Sequence, residues 1–260
     1  MAKIVAVANQ KGGVGKTTTA VNLSSCVAAL GKKVLIVDLD PQGNTTSGLG
    51  MEVDDKSIYE VIMGRMKLTD VMEETEFKNL SIAGSDVRLA NAELELVEVE
   101  KREYRLKTAV QSVQQDFDFI FIDCPPSLGL LTINALGAAD SVLIPIQCEY
   151  YALEGVASLM NTISRVKKTI NPHLEIEGVL LTMLDGRTNL GLQVVDEVKK
   201  HFKKQVYATV IPRSVRLGEA PSHGEPIHVY DKRSAGCVAY VNLAKEVLKR
   251  NNIKVKEFKL

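Results

Sequence analysis

Asn9-Gln-Lys-Gly-Gly-Val-Gly-Lys-Thr-Thr-Thr19 is the most informative stretch of this 260-residue chain. A short apolar run at residues 3–8 precedes it, and residues 20–30 after it have the composition of a helix that stops at Gly31. A strand, a glycine-rich loop and a helix in this order are typical of a phosphate-binding loop, because backbone N–H groups and the positive end of the helix dipole converge on one anion. The stretch therefore predicts a site for nucleotide phosphates.

The residues of this loop have distinct predicted roles. Glycine permits positive φ and close backbone approach, so the N–H groups of residues 12–16 can surround phosphate oxygens. Lys16 would reach the β- and γ-phosphates, and the Thr17 hydroxyl would bind Mg²⁺. We expect the phosphate contacts to come from Gly12, Gly13, Val14, Gly15, Lys16, Thr17 and Thr18.

The loop departs from the usual GxxxxGK[ST] pattern at its start. The first glycine of that pattern would fall at position 10, where Gln10 stands, and a second lysine, Lys11, follows. A dinucleotide-binding GxGxxG motif does not fit, because Thr18 replaces the third glycine. The plainer alternative, a glycine-rich turn with a solvated lysine, is disfavoured by the flanking strand and helix.

The composition indicates an ordinary globular protein, with 45% apolar and 25% charged residues. The sequence has no apolar run of about 18 residues, the length needed to cross a membrane, and a strand starts too early for a signal peptide. Four widely spaced cysteines without a CxxC pair indicate reduced thiols and not a metal site or a disulfide framework. We therefore expect a cytoplasmic protein.

Charge is distributed unevenly, although the net charge of the chain is zero. Residues 187–260 contain 15 Lys and Arg against 7 Asp and Glu, a net charge of +8, and residues 1–186 carry −8. Such asymmetry fits a surface that faces a polyanion, but lysine-rich helices with solvated outer faces give the same counts. Charge alone does not choose between these two interpretations.

Apolar runs and helical periodicities alternate along the chain. Predicted strands cover residues 3–8, 33–40, 80–83, 118–123, 141–146, 176–183 and 207–211. Predicted helices cover residues 20–30, 57–63, 89–115, 130–137, 152–169, 190–201 and 234–250, with a turn-rich loop at residues 41–50. This order predicts an α/β fold with a doubly wound, mostly parallel sheet flanked by helices on both faces. We expect one domain over residues 1–260, without an N-terminal helix-turn-helix.

Three aspartates follow predicted strands and would gather with the loop at the carboxyl edge of the sheet. Asp123 ends the apolar run 119–122, as the second acid of phosphate-loop NTPases does, and would hold Mg²⁺ directly or through water. Asp38 and Asp40 end the predicted strand 33–40. Because Asp40 lies farther into the flexible loop, we assign it to the activation of water and Asp38 to the Mg²⁺ shell.

Three motifs together carry a family resemblance. They are the loop at residues 9–19, Asp38-Leu-Asp-Pro-Gln-Gly-Asn-Thr-Thr46 and Ile122-Asp-Cys-Pro-Pro-Ser127. Over residues 3–250 the chain closely resembles the ParA/Soj chromosome-partitioning ATPases, of the deviant phosphate-loop (deviant Walker A) class that also contains MinD and the nitrogenase iron protein. The resemblance implies an ATPase that uses ATP and Mg²⁺ and hydrolyses weakly unless a partner and DNA stimulate it.

The resemblance also implies a nucleotide-sandwich homodimer. Lys11 would cross the interface and reach the phosphates of the partner, where it offsets charge in the transition state as an arginine finger does. The adenine would pack against Met183 and Pro212, with Arg213 stacking or hydrogen-bonding. The implied catalytic residues are Lys11, Lys16 and Asp40.

In the resembling family, the ATP-bound dimer binds double-stranded DNA without sequence preference and works with a ParB-type centromere-binding protein, which implies a nucleoid-associated location. Phosphate contacts would dominate, because no helix-turn-helix precedes the loop. We place most weight on Arg187 and Arg216. The full set of DNA-contact candidates is Arg187, Lys199, Lys200, Lys203, Lys204, Arg216, Lys245, Lys249 and Arg250.

Three other functions are compatible with a phosphate loop of this kind. A MinD-like membrane-cycling ATPase of the cell-division site needs an amphipathic basic C-terminal helix, whereas residues 250–260 are nearer to alternation, so we expect no membrane partner. A redox protein needs paired cysteines, but Cys124 has no second cysteine at a suitable spacing. The third is a non-enzymatic nucleotide switch, from which Asp40 distinguishes the ATPase. In an ATPase, Asp40→Ala should abolish ATP turnover and trap an ATP-bound dimer on DNA.

Overall fold

One eight-stranded sheet organises the protein in a computed structural model that describes residues 1–153 and 156–254. The strands are β1 (Lys3–Val7), β2 (Val34–Asp38), β3 (Met72–Glu74), β4 (Leu80–Ala83), β5 (Phe119–Asp123), β6 (Ser141–Gln147), β7 (Glu175–Leu184) and β8 (Val206–Pro212). Their order across the sheet is β3-β4-β2-β5-β1-β6-β7-β8. All neighbouring pairs are parallel except β3 and β4. The predicted α/β fold with a mostly parallel sheet is confirmed.

Helices cover both faces of this sheet. The α-helices are α1 (Lys16–Ala29), α2 (Asn44–Gly48), α3 (Ile58–Ile62), α4 (Ala92–Glu95), α5 (Arg105–Gln111), α6 (Leu130–Ala138), α7 (Val156–Thr169), α8 (Asn189–Phe202), α9 (Val215–Glu219), α10 (Ile227–Tyr230) and α11 (Ala235–Arg250). Short 3₁₀ turns occupy Leu68–Asp70, Val87–Asn91, Arg102–Tyr104, Lys203–Gln205 and Ala220–His223.

Successive residues of the central strands face opposite layers, as the two-residue period of a strand requires. Ile4 of β1 belongs to the core cluster formed with α3 and α5–α8, and Val5 belongs to the cluster formed with α1 and α9–α11. The five residues of β2 and of β5 are all buried, because the sheet is covered on both sides. The arrangement agrees with the doubly wound order expected from the sequence.

The register of the central strands brings the predicted site together. Asp38 pairs with Asp123 across β2 and β5, and Val7, the last residue of β1, also lies beside Asp123. The loop that follows β1 therefore starts beside Asp123, with Asp38 one strand farther along the sheet. All three motifs meet at the carboxyl edge of the sheet, as expected for this class of fold.

The predicted continuous helix over residues 89–115 is wrong. That segment divides into the 3₁₀ turn Val87–Asn91, α4, a second 3₁₀ turn at Arg102–Tyr104 and α5, and Lys101 between them has a φ of 55°. The acidic run between residues 93 and 100 places like charges on neighbouring turns, which opposes a long helix. Leu96, Leu106 and Val110 are nevertheless fully buried, so the apolar side of the segment was recognised correctly.

Other boundaries also differ from the sequence-based prediction. The turn-rich loop at residues 41–50 contains α2, and the first helix starts at Lys16 and not at residue 20. Strand β3 and the short helices α9 and α10 were not predicted, because three to five residues are too few for a periodic signal. In the predicted helix 152–169, α7 is described from Val156 onward.

Strand β8 is one edge of the sheet, and its outer side is covered by side chains of α11. The backbone N–H groups of Ala208 and Thr209 donate to the Glu246 carboxylate at 2.9 and 3.0 Å. Arg250 donates to the carbonyl oxygens of Gln205 and Val206 and pairs with Glu246 at 2.9 Å. The Glu246–Arg250 pair thus satisfies backbone groups that an edge strand leaves open.

Candidate functional site

The loop between β1 and α1 has the backbone of an anion-binding cradle. Gly13 and Gly15 have φ values of 71° and 87°, a conformation that side chains other than glycine disfavour. Gly12 and Gly13 are exposed, and a Cβ atom added at either residue would meet nothing within 4 Å. Helix α1 begins at Lys16 without an acidic residue in its first turn. The open space and the free helix N-terminus suit a phosphate group.

Lys16 is held at the centre of this cradle. Its side chain is buried, and Nζ donates to the Lys11 carbonyl oxygen at 3.2 Å. Burial lowers the pKa of Lys16, and the nearby charge of Asp123 acts in the opposite direction. The ammonium group of Lys16 therefore has a neutral carbonyl oxygen as its hydrogen-bond acceptor. A phosphate oxygen in its place would give a stronger, charge-assisted hydrogen bond.

Hydrogen bonds to β6 and β7 brace the loop. Asn9 Nδ2 donates to the Pro145 carbonyl oxygen at 2.7 Å, and Asn9 Oδ1 accepts from the Lys11 N–H at 3.1 Å. Thr182 Oγ1 donates to the Val14 carbonyl oxygen at 2.8 Å. These bonds fix the loop from both ends. Asn9 stood inside the predicted motif without an assigned role, because its partner is 136 residues away in the chain.

Asp123 has the features of a residue that binds Mg²⁺. Its side chain is fully buried, and Oδ2 accepts from Thr17 Oγ1 at 2.8 Å. The other oxygen, Oδ1, has no hydrogen-bond partner among the described residues. A buried carboxylate oxygen without a donor is costly unless a cation or its water ligands approach it. Thr17 and Asp123 thus fit the predicted magnesium site.

Asp38 lies beside Asp123 but is hydrogen-bonded differently. Its Oδ2 accepts from the backbone N–H and the hydroxyl of Thr46, at 2.9 and 2.7 Å, and its Oδ1 accepts from the Asp40 N–H at 3.2 Å. Burial raises the pKa of both Asp38 and Asp123; the charge of Asp38 raises the pKa of Asp123 further, and the charge of Asp40 raises the pKa of both. Asp38 therefore orients the segment that follows β2, besides being available to the magnesium shell.

Asp40 lies at the rim of the same cleft. Its side chain is 8% exposed, and Oδ1 accepts from the Gln42 N–H at 3.0 Å. Within the described residues, Asp40 Oδ2 has no hydrogen-bond partner. One oxygen is thus anchored, while the second is available to a water molecule, which is the arrangement a group that orients water needs.

The residues predicted to contact adenine lie together at the ends of β7 and β8. Leu184 pairs with Pro212, and the Arg213 N–H donates to the Leu184 carbonyl oxygen at 3.1 Å. Met183 has a φ of 53°, a conformation that is unfavourable for a side chain of this size and that occurs more often at functional sites than elsewhere. Arg213 pairs with Glu149 at 2.8 Å, so its guanidinium already has an acidic partner.

Arg187 and Arg216 also lie at the carboxyl edge, after β7 and β8. The Arg187 guanidinium donates to both oxygens of Asp185, at 2.9 and 2.7 Å, and these bonds lower the pKa of Asp185 to about 2. Arg216 pairs with Glu219 at 2.9 Å and with Asp231 at 3.5 Å. Both arginines are exposed, and each is already paired with a carboxylate of this chain.

The predicted DNA-contact lysines do not form one patch with these arginines. Lys199 lies on α8 and Lys203 directly after it, whereas Lys245 and Lys249 lie on α11, in the opposite helical layer. Lys200 is paired with Glu197 at 3.7 Å. Lys204, like Lys203, is exposed in the turn before β8.

Arg250 has a structural role and is a poor DNA-contact candidate. Besides its bonds to β8, its guanidinium lies 4.1 Å from the centre of the Tyr207 ring. The nine candidates therefore lie on several elements: Arg187 follows β7, Arg216 lies on α9, and the others lie on α8, in the turn after it and on α11.

Two threonines that the sequence analysis quoted without a role belong to this site. Thr45 Oγ1 donates to Asp123 Oδ2 at 2.7 Å, and Thr46 is the residue that holds Asp38. Both are buried on α2. The signal was present in Asp38-Leu-Asp-Pro-Gln-Gly-Asn-Thr-Thr46, but the predicted loop gave no reason for these hydroxyls to turn back toward the acids.

The described residues also give the state of possible membrane-spanning helices, of the cysteines and of clusters of metal-binding side chains. No helix within residues 1–153 and 156–254 has the length and apolar character needed to cross a membrane. The four cysteines are free and buried, and the described residues include no cluster of three or more His, Cys, Asp or Glu able to hold a metal ion. The last six residues of the C-terminal tail, on which the membrane argument partly rested, lie outside the described residues.

Comparison with known proteins agrees with the motifs. Residues 2–176 match the family model described as an AAA domain. The chain is 59% identical to the sporulation initiation inhibitor protein Soj of Bacillus subtilis over 95% of this chain and 98% of that protein. It is 50% identical to the chromosome partitioning protein ParA of Myxococcus xanthus over 97% of this chain and 90% of that protein.

Solved structures share the fold and contain the predicted cofactors. Cobyrinic acid a,c-diamide synthase of Mycobacterium smegmatis, with bound ADP and magnesium, is 37% identical with a TM-score of 0.85 over the full length of both chains. The septum site-determining protein MinD of Pyrococcus horikoshii, complexed with Mg-ADP, is 27% identical with a TM-score of 0.83 over 99% of this chain and 100% of that one. The two Soj and ParA relatives are far more similar in sequence than MinD, and the chain belongs to the ParA/Soj family of chromosome-partitioning ATPases.

Proposed function

We propose that this protein is a Mg·ATP-dependent ATPase that dimerises across its nucleotides. In the ATP-bound dimer it binds DNA without sequence preference, and it segregates chromosomes or plasmids together with a ParB-type partner. The observation that carries the proposal is the open phosphate loop, with Gly12 and Gly13 exposed at the same edge of the sheet as Arg187 and Arg216. Nucleotide, second subunit and DNA would thus meet on one side of the molecule.

Nucleotide binding uses groups that are already in place. The N–H groups of residues 12–18 bind the phosphates, and Lys16 exchanges the Lys11 carbonyl oxygen for phosphate oxygens. Thr17 and Asp123 hold Mg²⁺, which when bound offsets phosphate charge and orients the γ-phosphate. Met183 and Pro212 pack against the adenine, and Arg213 contacts it by exchanging its bond to Glu149.

Lys11 of each subunit contacts the nucleotide bound by the other subunit. It follows the bend set by Asn9 and directly precedes the exposed glycines, so a second copy that closes over the loop meets it at once. A cation from the partner subunit stabilises charge that develops on the transferred phosphoryl group. Each site is then complete only in the dimer.

Asp40 carries the hydrolytic step. Its anchored oxygen fixes the carboxylate at the rim, and its second oxygen orients a water molecule for in-line attack on the γ-phosphate. Hydrolysis removes the group that Lys11 contacts, so the dimer opens. The basal rate is low because the water is held by a group at the edge of the cleft, and the ParB-type partner and DNA raise it.

DNA binding follows from the dimer. Two copies facing each other bring two sets of Arg187 and Arg216 to one side, and phosphate oxygens compete with Asp185 and Glu219 for the guanidinium groups. The lysines around β8 contribute longer-range attraction. Such binding depends steeply on salt, requires ATP and places the protein on the nucleoid.

Size-exclusion chromatography with light scattering tests the proposal. We expect a monomer with ADP and a dimer with ATP, and elution with a DNA duplex only in the ATP state. Lys11→Ala should bind ATP but remain monomeric and off DNA, while Lys78→Ala, an exposed lysine of the turn between β3 and β4, should behave like the wild type.

Two outcomes would contradict the proposal. One is equal DNA binding with ADP and ATP, which would remove the link between nucleotide and DNA. The other is ATP-dependent recruitment to anionic liposomes without DNA binding. That result would favour the alternative function, a MinD-like membrane cycle, because MinD has the same fold.

A further inference from the structure

Helix α2 holds both buried acids of the site through two adjacent threonines. Thr45 Oγ1 donates to Asp123 Oδ2 at 2.7 Å, and Thr46 Oγ1 donates to Asp38 Oδ2 at 2.7 Å. Thr45 is fully buried and Thr46 is 4% exposed. Two neighbouring residues of one short helix thus contact two carboxylates that lie on adjacent strands.

The bonds to Asp123 separate the functions of its two oxygens. Oδ2 accepts from both Thr17 and Thr45, so its acceptor capacity is used by hydroxyl groups. Oδ1 remains without a partner among the described residues. Since a carboxylate rotates about a soft torsion, a donor on one oxygen restricts that rotation and keeps the other oxygen aimed in one direction. Thr17 itself is expected to change partners when it becomes a ligand, which leaves Thr45 as the permanent holder.

Thr46 is fixed by a second bond from the sheet. Its hydroxyl accepts from the Ser85 N–H at 3.0 Å while donating to Asp38, so its orientation is determined. Gly43 precedes α2 with a φ of 62°, and a Cβ atom there would lie 3.2 Å from the Ser85 carbonyl oxygen. The segment that follows β4 therefore holds α2 against the acids, and Gly43 permits that approach.

We propose that Thr45 and Thr46 are positioning residues of the magnesium site. Thr45 aims the open oxygen of Asp123, and Thr46 fixes Asp38 and, through the Asp38–Asp40 bond, the start of the loop that carries Asp40. Residues that orient metal ligands change metal affinity by about 10–100-fold when they are replaced. The inference rests on the proposed binding of Mg·nucleotide, and it adds the residues that orient the carboxylates which would bind the magnesium ion.

A binding assay separates this role from a general packing role. A fluorescent ADP analogue is titrated into the full chain, first in EDTA and then at increasing Mg²⁺, for the wild type, Thr45→Val and Thr45→Ser. Valine keeps the shape of threonine and removes the donor, and serine keeps the donor. We expect all three to bind equally in EDTA, with the Mg²⁺ needed for half-maximal tightening raised about 10-fold or more in Thr45→Val and within about 3-fold of the wild type in Thr45→Ser.

Thr132→Val is the matched control. Thr132 is also buried, but its hydroxyl donates to the Ser127 carbonyl oxygen and contacts neither acid. Its Mg²⁺ requirement should equal that of the wild type. If Thr45→Val does not fold, Thr45→Cys replaces it, because a thiol approximates the shape of serine with a weaker donor and must still raise the Mg²⁺ requirement.

The outcomes are distinct. An unchanged Mg²⁺ requirement in the folded Thr45→Val or Thr45→Cys variant would overturn the inference, as would an equal loss of ADP binding with and without Mg²⁺. A wild-type chain that binds no ADP under any condition would contradict the proposed function itself, and this inference with it.

Discussion

The acids of the nucleotide site and the arginines at the same edge of the sheet are held in opposite ways. Asp38 and Asp123 are fully buried and accept hydrogen bonds from hydroxyl and backbone groups. The side chains of Arg187 and Arg216 are 89% and 56% exposed and are paired with carboxylates. Buried acids without a cation favour the arrival of one, whereas exposed ion pairs are screened by salt and exchange partners readily. The buried acids are therefore suited to holding a cation in a fixed place, and the exposed arginines are suited to contacts with an anion that form and break readily.

Replacing Asp40 should have the largest effect on turnover. We expect Asp40→Ala to lower the ATPase rate by about 10²–10⁴-fold, because the residue that orients water is removed while the loop that binds phosphate is intact. The protein should accumulate as an ATP-bound dimer on DNA. Phosphate release and light scattering measure the two effects on the same sample.

Asp116→Ala, which removes an exposed acid far from the cleft, serves as the control and should hydrolyse normally. Hydrolysis that survives Asp40→Ala would assign water activation to another group and would favour the view that Asp40 is only a loop residue.

Neutralising Asp123 should separate stability from function. Asn removes one of two adjacent buried charges, so we expect the nucleotide-free protein to melt about 2–4 °C higher, which corresponds to about 1 kcal/mol for a chain of this size. The increase in melting temperature that Mg·ADP gives to the wild type should disappear. Differential scanning calorimetry with and without Mg·ADP measures both quantities.

A lower melting temperature for nucleotide-free Asp123→Asn would mean that the unpaired oxygen is less costly than its burial indicates. In that case the site would gain little free energy from neutralisation, and the contrast with the exposed arginines would weaken.

Freeing Arg187 from its own carboxylate should strengthen DNA binding modestly. In the ATP state, Asp185→Asn should raise affinity for a DNA duplex about 3-fold, because phosphate no longer competes with Asp185. Asp196→Asn makes the same change of charge at an exposed position of α8 and should have a smaller effect. Fluorescence anisotropy at several salt concentrations distinguishes them, and equal gains would mean that only net charge matters.

His228 tests how strongly burial disfavours the charged form of a side chain in this protein. Desolvation lowers the pKa of His228 to about 4, and the charge of Lys232 acts in the same direction. The unfolded chain therefore binds a proton below about pH 6.5 that the folded chain does not, so stability is complete above that pH and falls as the pH decreases toward 4. We expect the free energy of unfolding to fall by about 1–2 kcal/mol from pH 7 to pH 5.

Urea unfolding at the two pH values measures this change, and His228→Gln should reduce it. An identical pH dependence in the variant would assign the effect to other groups, such as the paired acids at the protein surface.

The sequence predicted the parts of the site that are defined by local patterns. The loop at residues 9–19, Asp38 and Asp123 each follow an apolar strand, and parallel strands bring their ends to one edge. Thr45 and Thr46 were missed because their partners lie on strands 78 and 8 residues away, which only the folded α2 brings within reach. The pattern thus singled out the two acids but not the threonines that donate hydrogen bonds to them.

Charge and periodicity were less reliable guides than the motifs. The excess of basic residues after position 187 is real, but α8 and α11 divide the lysines between opposite layers of the sheet. The predicted helix 89–115 has a correct apolar side, yet its acidic run and the positive φ of Lys101 interrupt it. Neither the number of charged residues nor the helical periodicity of the sequence determines on which side of the sheet a surface charge lies.

The Glu246–Arg250 pair on β8 has a consequence for how copies of this protein can associate. An uncovered outer strand invites another chain to extend the sheet, which produces open-ended polymers. Since the pair occupies the N–H groups of Ala208 and Thr209 and the carbonyl oxygens of Gln205 and Val206, it blocks the first part of this edge against another strand. In the proposed dimer, association would then use the nucleotide face, which gives a closed pair of subunits and not an open-ended polymer.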